Sequence, residues 1–298
     1  AALPRRPRPG RAGLGRAVTR LREVRGAGGA RLALRETGPE DAPAILLIHG
    51  WSQASLAWEK QLAGPLAARY RLVALDLRGH GASDKPNDPA AYDNPAPWAA
   101  DVAALIAQLD LGAPLLVGWS MGGWVCCDYL NAHGDGGIAG LVLVGSSPRT
   151  GRCADPAIAG KRRAEVRAEG MYSDDLVVSL PATIAFVKAC VSAPMSKRDL
   201  ALWVGMNALC PPSVRKAARL RDNDYRETLA TLTKPALLIQ GTDEKVCLRE
   251  AFEEARAVLP DPRVEMAPGC GHAPFWEDAA RFDAALGAFA ADLFGGRP

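Results

Sequence analysis

The chain has 298 residues, of which 48% are hydrophobic and 23% charged, with a formal net charge of +3. That length suits one large α/β domain carrying an insertion. The hydrophobic and charged fractions are ordinary for a soluble globular protein. The small charge excess sits at the N-terminus and gives the body of the chain no nucleic-acid-binding surface. No apolar run reaches the length of a membrane span.

Residues 1–17 form a basic leader in which Pro4, Pro7 and Pro9 interrupt any helix. Its Arg-rich, acid-poor composition is that of an organelle transit peptide, but no Ser precedes Ser52. A disordered leader is therefore expected, with no secretory apolar segment. The seven cysteines lack C-x-x-C spacing. They read as small apolar thiols in a reducing compartment, and the expected location is cytoplasmic.

From Val18 onward strands alternate with helices. Residues 19–25 and 31–36 predict a hairpin around Gly26, Gly28 and Gly29. Residues 44–48 and 71–77 are continuous apolar runs, as central parallel strands require. Residues 98–109 place Val102, Leu105, Ile106 and Leu109 on one helical face. A short strand, 115–117, runs into Gly118-Trp119-Ser120-Met121-Gly122, followed by a helix over 124–132. Residues 140–145, 236–240 and 263–266 are further strands, with helices over 250–259 and 278–293. This alternation predicts an α/β fold with a mostly parallel sheet flanked by helices.

The alternation breaks over residues 149–233, where no strand is evident and residues 158–169, 175–191 and 199–208 have helical character. A structureless loop of that length is implausible. The segment is expected to be a helical cap over the C-terminal ends of the strands, with residues 192–197 as a hinge. The core is then 18–148 and 234–298. Phe186, Trp203 and Met206 are the cap residues expected to face a pocket, and Trp119 is the further substrate-binding candidate.

Gly118–Gly122 fits G-x-S-x-G in the strand–turn–helix context that raises a nucleophilic Ser, here Ser120. His49-Gly50-Trp51 ends the strand 44–48, where the backbone N–H groups of Trp51 and Met121 could hold an oxyanion. The segment 76–84 reads as structural, including His80 and Ser83. Gly241-Thr242-Asp243-Glu244 offers carboxylates at a strand end. Gly271-His272-Ala273 places a His in a glycine-rich loop, and of His49, His80, His133 and His272 the last is the natural general base.

Together HGW (49–51), DLRGHGASD (76–84), GWSMGG (118–123) and GHAPFWEDAARF (271–282) resemble the α/β-hydrolase superfamily, in its non-haem haloperoxidase and esterase-like branch. The resemblance covers residues 18–293. It implies Ser120 as nucleophile, His272 as base, an acid after the strand ending at Gln240, and a helical cap. The family's acid is usually an Asp three residues after the Gly; that position holds Glu244, with Asp243 one residue earlier. Both carboxylates are candidates, and Glu244 is favoured by its spacing.

The expected activity is hydrolysis of a carboxylic ester of a small or medium acyl substrate through an acyl-enzyme. No metal or organic cofactor is called for, since neither zinc spacing nor a phosphate loop occurs. Cofactor-free perhydrolase or haloperoxidase-like activity, C–C bond hydrolysis and acyl transfer are the alternatives. A non-catalytic binding protein on the same scaffold is the remaining one. The sequence sets neither the substrate nor the oligomeric state.

Overall fold

The computed structural model describes residues 19–156 and 169–295. The expected leader, 1–17, lies outside the described residues, as does nearly all of the helix expected over 158–169.

Eight strands form one sheet in the order β1-β2-β4-β3-β5-β6-β7-β8. They are β1 (Arg20–Arg25), β2 (Arg31–Thr37), β3 (Ala44–Ile48), β4 (Arg71–Leu75), β5 (Leu115–Trp119), β6 (Gly140–Val144), β7 (Ala236–Gly241) and β8 (Arg263–Ala267). β1, β2 and β4 pair antiparallel, and β3 to β8 run parallel. Every residue of β3, β4, β5 and β6 is buried, which is why these strands are almost wholly apolar; the exception, Arg71 at the start of β4, is paired with the buried Glu36. The edge strand β8 is largely exposed. Its charges are used in pairs, Arg263 with Asp292 and Glu265 with Arg281, which blunts the edge.

The α-helices among the described residues are α1 (Glu59–Leu62), α2 (Ala96–Gln108), α3 (Met121–His133), α4 (Leu176–Ala189), α5 (Lys197–Ala208), α6 (Pro212–Arg219), α7 (Arg226–Ala230), α8 (Arg249–Val258), α9 (Pro274–Glu277) and α10 (Ala279–Phe294). Side-chain caps fix several starts: Asp175 accepts from Val177 N, Ser196 from Asp199 N, and Asp278 from Arg281 N. No helix among the described residues is long and apolar enough to cross a membrane.

Between β6 and β7 the regular elements among the described residues are helices joined by loops, with one isolated bridge, Arg149 to Asp224. Thr150 N donates to Asn223 O and Tyr225 N to Pro148 O, so the chain leaves and returns through one narrow neck. Arg221 fixes the return by pairing with Asp128 of α3, both side chains fully buried. Arg149 and Asp224 form the bridge of this neck, and α7 packs on α3 and α8.

Candidate active site

Ser120 is the single residue between β5 and α3, at φ 53° and ψ −118°. Such a conformation costs of order 1–3 kcal/mol and persists only where its surroundings enforce it. Here Ser120 N donates to Val144 O at 2.8 Å, while Ser120 O accepts from Gly123 N at 2.9 Å and from Ser146 Oγ at 2.9 Å. The flanking glycines are required by space. A Cβ on Gly118 would stand 2.5 Å from Gly122 O, and one on Gly122 would strike Ile48 O. The result leaves Ser120 half-buried at the N-terminus of α3.

The turn after β3 passes directly beside it. A Cβ on Gly50 would lie 3.3 Å from Ser120 Cβ. Two fully buried histidines hold this turn. His80 Nε2 accepts from Ser52 N at 3.2 Å and His49 Nε2 accepts from Leu77 N at 3.1 Å. Their Nδ1–H groups then donate to Arg78 O and Gly50 O. Burial lowers their pKa values, to about 4 for His49 and about 3 for His80, so both are neutral scaffolding. The Trp51 indole N–H donates to Arg215 O at 2.9 Å. The backbone N–H groups of Trp51 and Met121 donate to no acceptor among the described residues. Since buried N–H groups are rarely left unpaired, this pair is a feature to be accounted for.

His272 lies in the loop after β8. Its Nδ1 is 2.7 Å from Glu244 Oε2, with both side chains almost wholly buried. The other carboxylate oxygen, Oε1, accepts from Val246 N at 2.6 Å. Asp243 is exposed and faces elsewhere, accepting from Ser192 Oγ at 2.9 Å and Thr242 Oγ1 at 3.1 Å. Of the two candidate acids, the structure brings Glu244 to His272 and leaves Asp243 against the α4–α5 linker. The loop register follows from Asp243 N, which donates to Cys270 O. Gly145, at φ 52°, makes room: a Cβ there would stand 2.9 Å from His272 Nδ1 and 3.1 Å from Glu244 Oε2. Neither its left-handed backbone nor its proximity to His272 is signalled by the sequence GLVLVG.

Three of the remaining candidates, Trp119, Phe186 and Trp203, make aromatic contacts. Trp119 donates its indole N–H to His272 O at 2.8 Å. Its ring packs on Phe275, His272 and Trp203, and Trp203 in turn packs on Trp276. Phe186 stands edge-on to Trp51 at 5.2 Å. Trp119, Trp203 and Met206 are each at most 1% exposed, so their side chains are engaged in packing. A cavity of about 140 Å³ opens beside Ser147, lined also by Trp124, Arg149 and Thr150, near the neck of the insertion. All seven cysteines are free thiols. No group of three or more His, Cys, Asp or Glu gathers as a metal site among the described residues.

The chain matches the alpha/beta hydrolase family over residues 45–285 and belongs to that family. Similar proteins include a pimeloyl-[acyl-carrier protein] methyl ester esterase of Edwardsiella ictaluri, 31% identical and covering 83% of this chain and 92% of that protein. A non-heme chloroperoxidase of Streptomyces lividans is 28% identical, covering 82% and 90%. Among solved structures, the esterase RhEst1 of Rhodococcus sp. ECU1013 is 38% identical with a TM-score of 0.84, covering 92% of this chain and 99% of that one.

Proposed function

We propose that this protein is a carboxylic ester hydrolase working through an acyl-enzyme on Ser120, with His272 as base and Glu244 as the acid of the triad. The observation that carries the reading is the pairing of His272 Nδ1 with the buried Glu244 carboxylate, in a site that also presents the unpaired N–H groups of Trp51 and Met121 beside Ser120. A Ser hydroxyl needs a base to attack a carbonyl carbon. His272 Nε2 would take its proton, and Glu244 would fix the tautomer and stabilise the imidazolium. The tetrahedral oxyanion would be held by the two N–H groups, with the α3 N-terminus adding favourable potential. His272 would return the proton to the leaving alkoxide, and water, activated by the same base, would release the acid.

In this reading residues 149–233 act as a cap, because Phe186 rests on Trp51 and Trp203 on Trp119, and a small-molecule acyl substrate enters between cap and core. The esterases among the similar proteins support ester chemistry. The similarity to a non-heme chloroperoxidase supports a second outcome at the same acyl-enzyme, interception by peroxide in place of water. An ester panel of graded acyl length, run with and without peroxide and with Ser120→Ala as control, tests both. Carboxylate release abolished by Ser120→Ala supports the reading, and hydrolysis that survives the substitution overturns it.

A further inference from the structure

Glu277 ends α9, five residues beyond His272 in sequence, and its two carboxylate oxygens engage different parts of the chain. Oε1 accepts from Gly271 N at 2.7 Å, in the loop that carries His272. Oε2 accepts from Ser192 N at 2.6 Å, in the linker between α4 and α5. The N–H groups of Ala273 and Ala193 also face the carboxylate. One anion is thus cradled by amides flanking His272 on both sides and by consecutive amides of the linker, the way backbone nests hold anions.

The two segments are in backbone contact. A Cβ on Gly271 would come to 3.0 Å from both Ser192 N and Val191 C. The linker joins the helix that places Phe186 on Trp51 to the helix that places Trp203 on Trp119. Asp243, next to Glu244, takes the Ser192 hydroxyl. Ser192 is therefore held by its N–H to Glu277, at the end of the helix that follows the His272 loop, and by its hydroxyl to Asp243, in the loop that supplies Glu244.

We propose that Glu277 is a positioning residue that locks the His272 loop to the α4–α5 linker, so that the imidazole and the helices above it keep one register. This rests on the reading of Ser120 and His272 as nucleophile and base. Glu277 touches neither of them. Burial raises its pKa above the ordinary carboxylate value, the surrounding N–H groups work against that rise, and its two oxygens are the acceptors on which both backbones are anchored. A base displaced by a fraction of an ångström loses rate without losing substrate binding.

Glu277→Gln tests this, because it keeps the shape and replaces one acceptor oxygen by a donor that opposes a backbone N–H. The expected result is a folded protein whose kcat for a small ester falls about 30- to 100-fold while KM stays within about threefold. Glu277→Asp, which restores the charge, should recover part of kcat. Amide hydrogen exchange should accelerate together at residues 190–193 and 270–273. A kcat within about twofold of wild type, or a change confined to KM, overturns the proposal. So does accelerated exchange in only one of the two segments. If Glu277→Gln fails to fold, the same kcat, KM and exchange comparison is made with Glu277→Asp, with a smaller loss of kcat expected. If the wild-type protein hydrolyses no ester, the hydrolase reading fails, and the exchange result decides the role of Glu277 independently.

Discussion

His272 Nδ1 and Glu244 Oε2 lie 2.7 Å apart, and both side chains are shut away from water. A carboxylate so placed holds the ring with its other nitrogen free to serve as base. In the proposed mechanism, replacing Glu244 by Gln removes the charge that would stabilise the imidazolium while keeping the shape. The expected loss in kcat for ester hydrolysis is about 10²- to 10⁴-fold with the fold preserved. Asp243→Asn should stay within a few-fold, since that side chain faces Ser192 and Thr242. Steady-state kinetics on the two variants, beside their circular dichroism, checks this, and a reversed order would transfer the role to Asp243.

Gly145 should be intolerant of any side chain. Its φ is 52°, and a Cβ would press on both His272 and Glu244. Gly145→Ala is expected to cost roughly 1–2 kcal/mol in stability from the left-handed backbone alone. Displacement of the imidazole should lower kcat about 100-fold. Urea unfolding and kinetics on the same preparation separate the two effects. A variant with reduced stability but full kcat would show that the ring has room to spare.

His49 and His80 make the fold acid-sensitive. Their folded pKa values, about 4 and about 3, lie below the unfolded value of 6.5. Between about pH 6.5 and 4 the unfolded chain therefore binds protons that the folded chain refuses. Their contribution to stability is complete above pH 6.5 and declines as the pH falls towards 4. Denaturant titrations at pH 7, 6 and 5 should show unfolding becoming steadily easier. Replacing His80 by Gln should reduce that pH dependence by about one proton near pH 5. An unchanged slope would mean that His80 does not enter the folded state neutral.

Asp283 works in the opposite sense. Burial raises its pKa to about 6, against 3.8 for the free residue, and the Gln61 amide donates to it at 3.1 Å. The folded chain keeps a proton there that the unfolded chain releases, so this contribution is full below pH 3.8 and is lost as the pH rises through 6. Asp283→Asn should therefore be more stable than wild type at pH 7, by about 1 kcal/mol. It should also steepen the loss of stability between pH 6 and 5. A destabilised variant at pH 7 would show that the ionised carboxylate is well accommodated.

Much of this architecture is legible in the chain itself. β3, β4 and β6 are written as apolar runs because both faces of the sheet are covered, and the Ser120 turn is local, set by Gly118 and Gly122. What decides between Asp243 and Glu244 is not local. Adjacent side chains in a loop point in different directions, and the register here is pinned by Asp243 N on Cys270 O, across to the His272 loop. The same holds for Gly145 and Glu277, whose partners are remote in sequence. Phe186 and Trp203 were recognisable as apolar residues of the insertion, but their seats on Trp51 and Trp119 come from how the two layers stack. α6 and α7 are short, and periodicity over so few residues does not announce a helix.

The proposed hydrolysis rests on Ser120 as a nucleophile activated by His272. Reaction of the folded protein with a fluorophosphonate, followed by peptide mass spectrometry, tests it most directly. One adduct per chain is expected, on Ser120, with the labelling rate falling by orders of magnitude in His272→Ala and Glu244→Gln while both remain folded. An adduct on another residue, or labelling of Ser120 at an undiminished rate in His272→Ala, would contradict it.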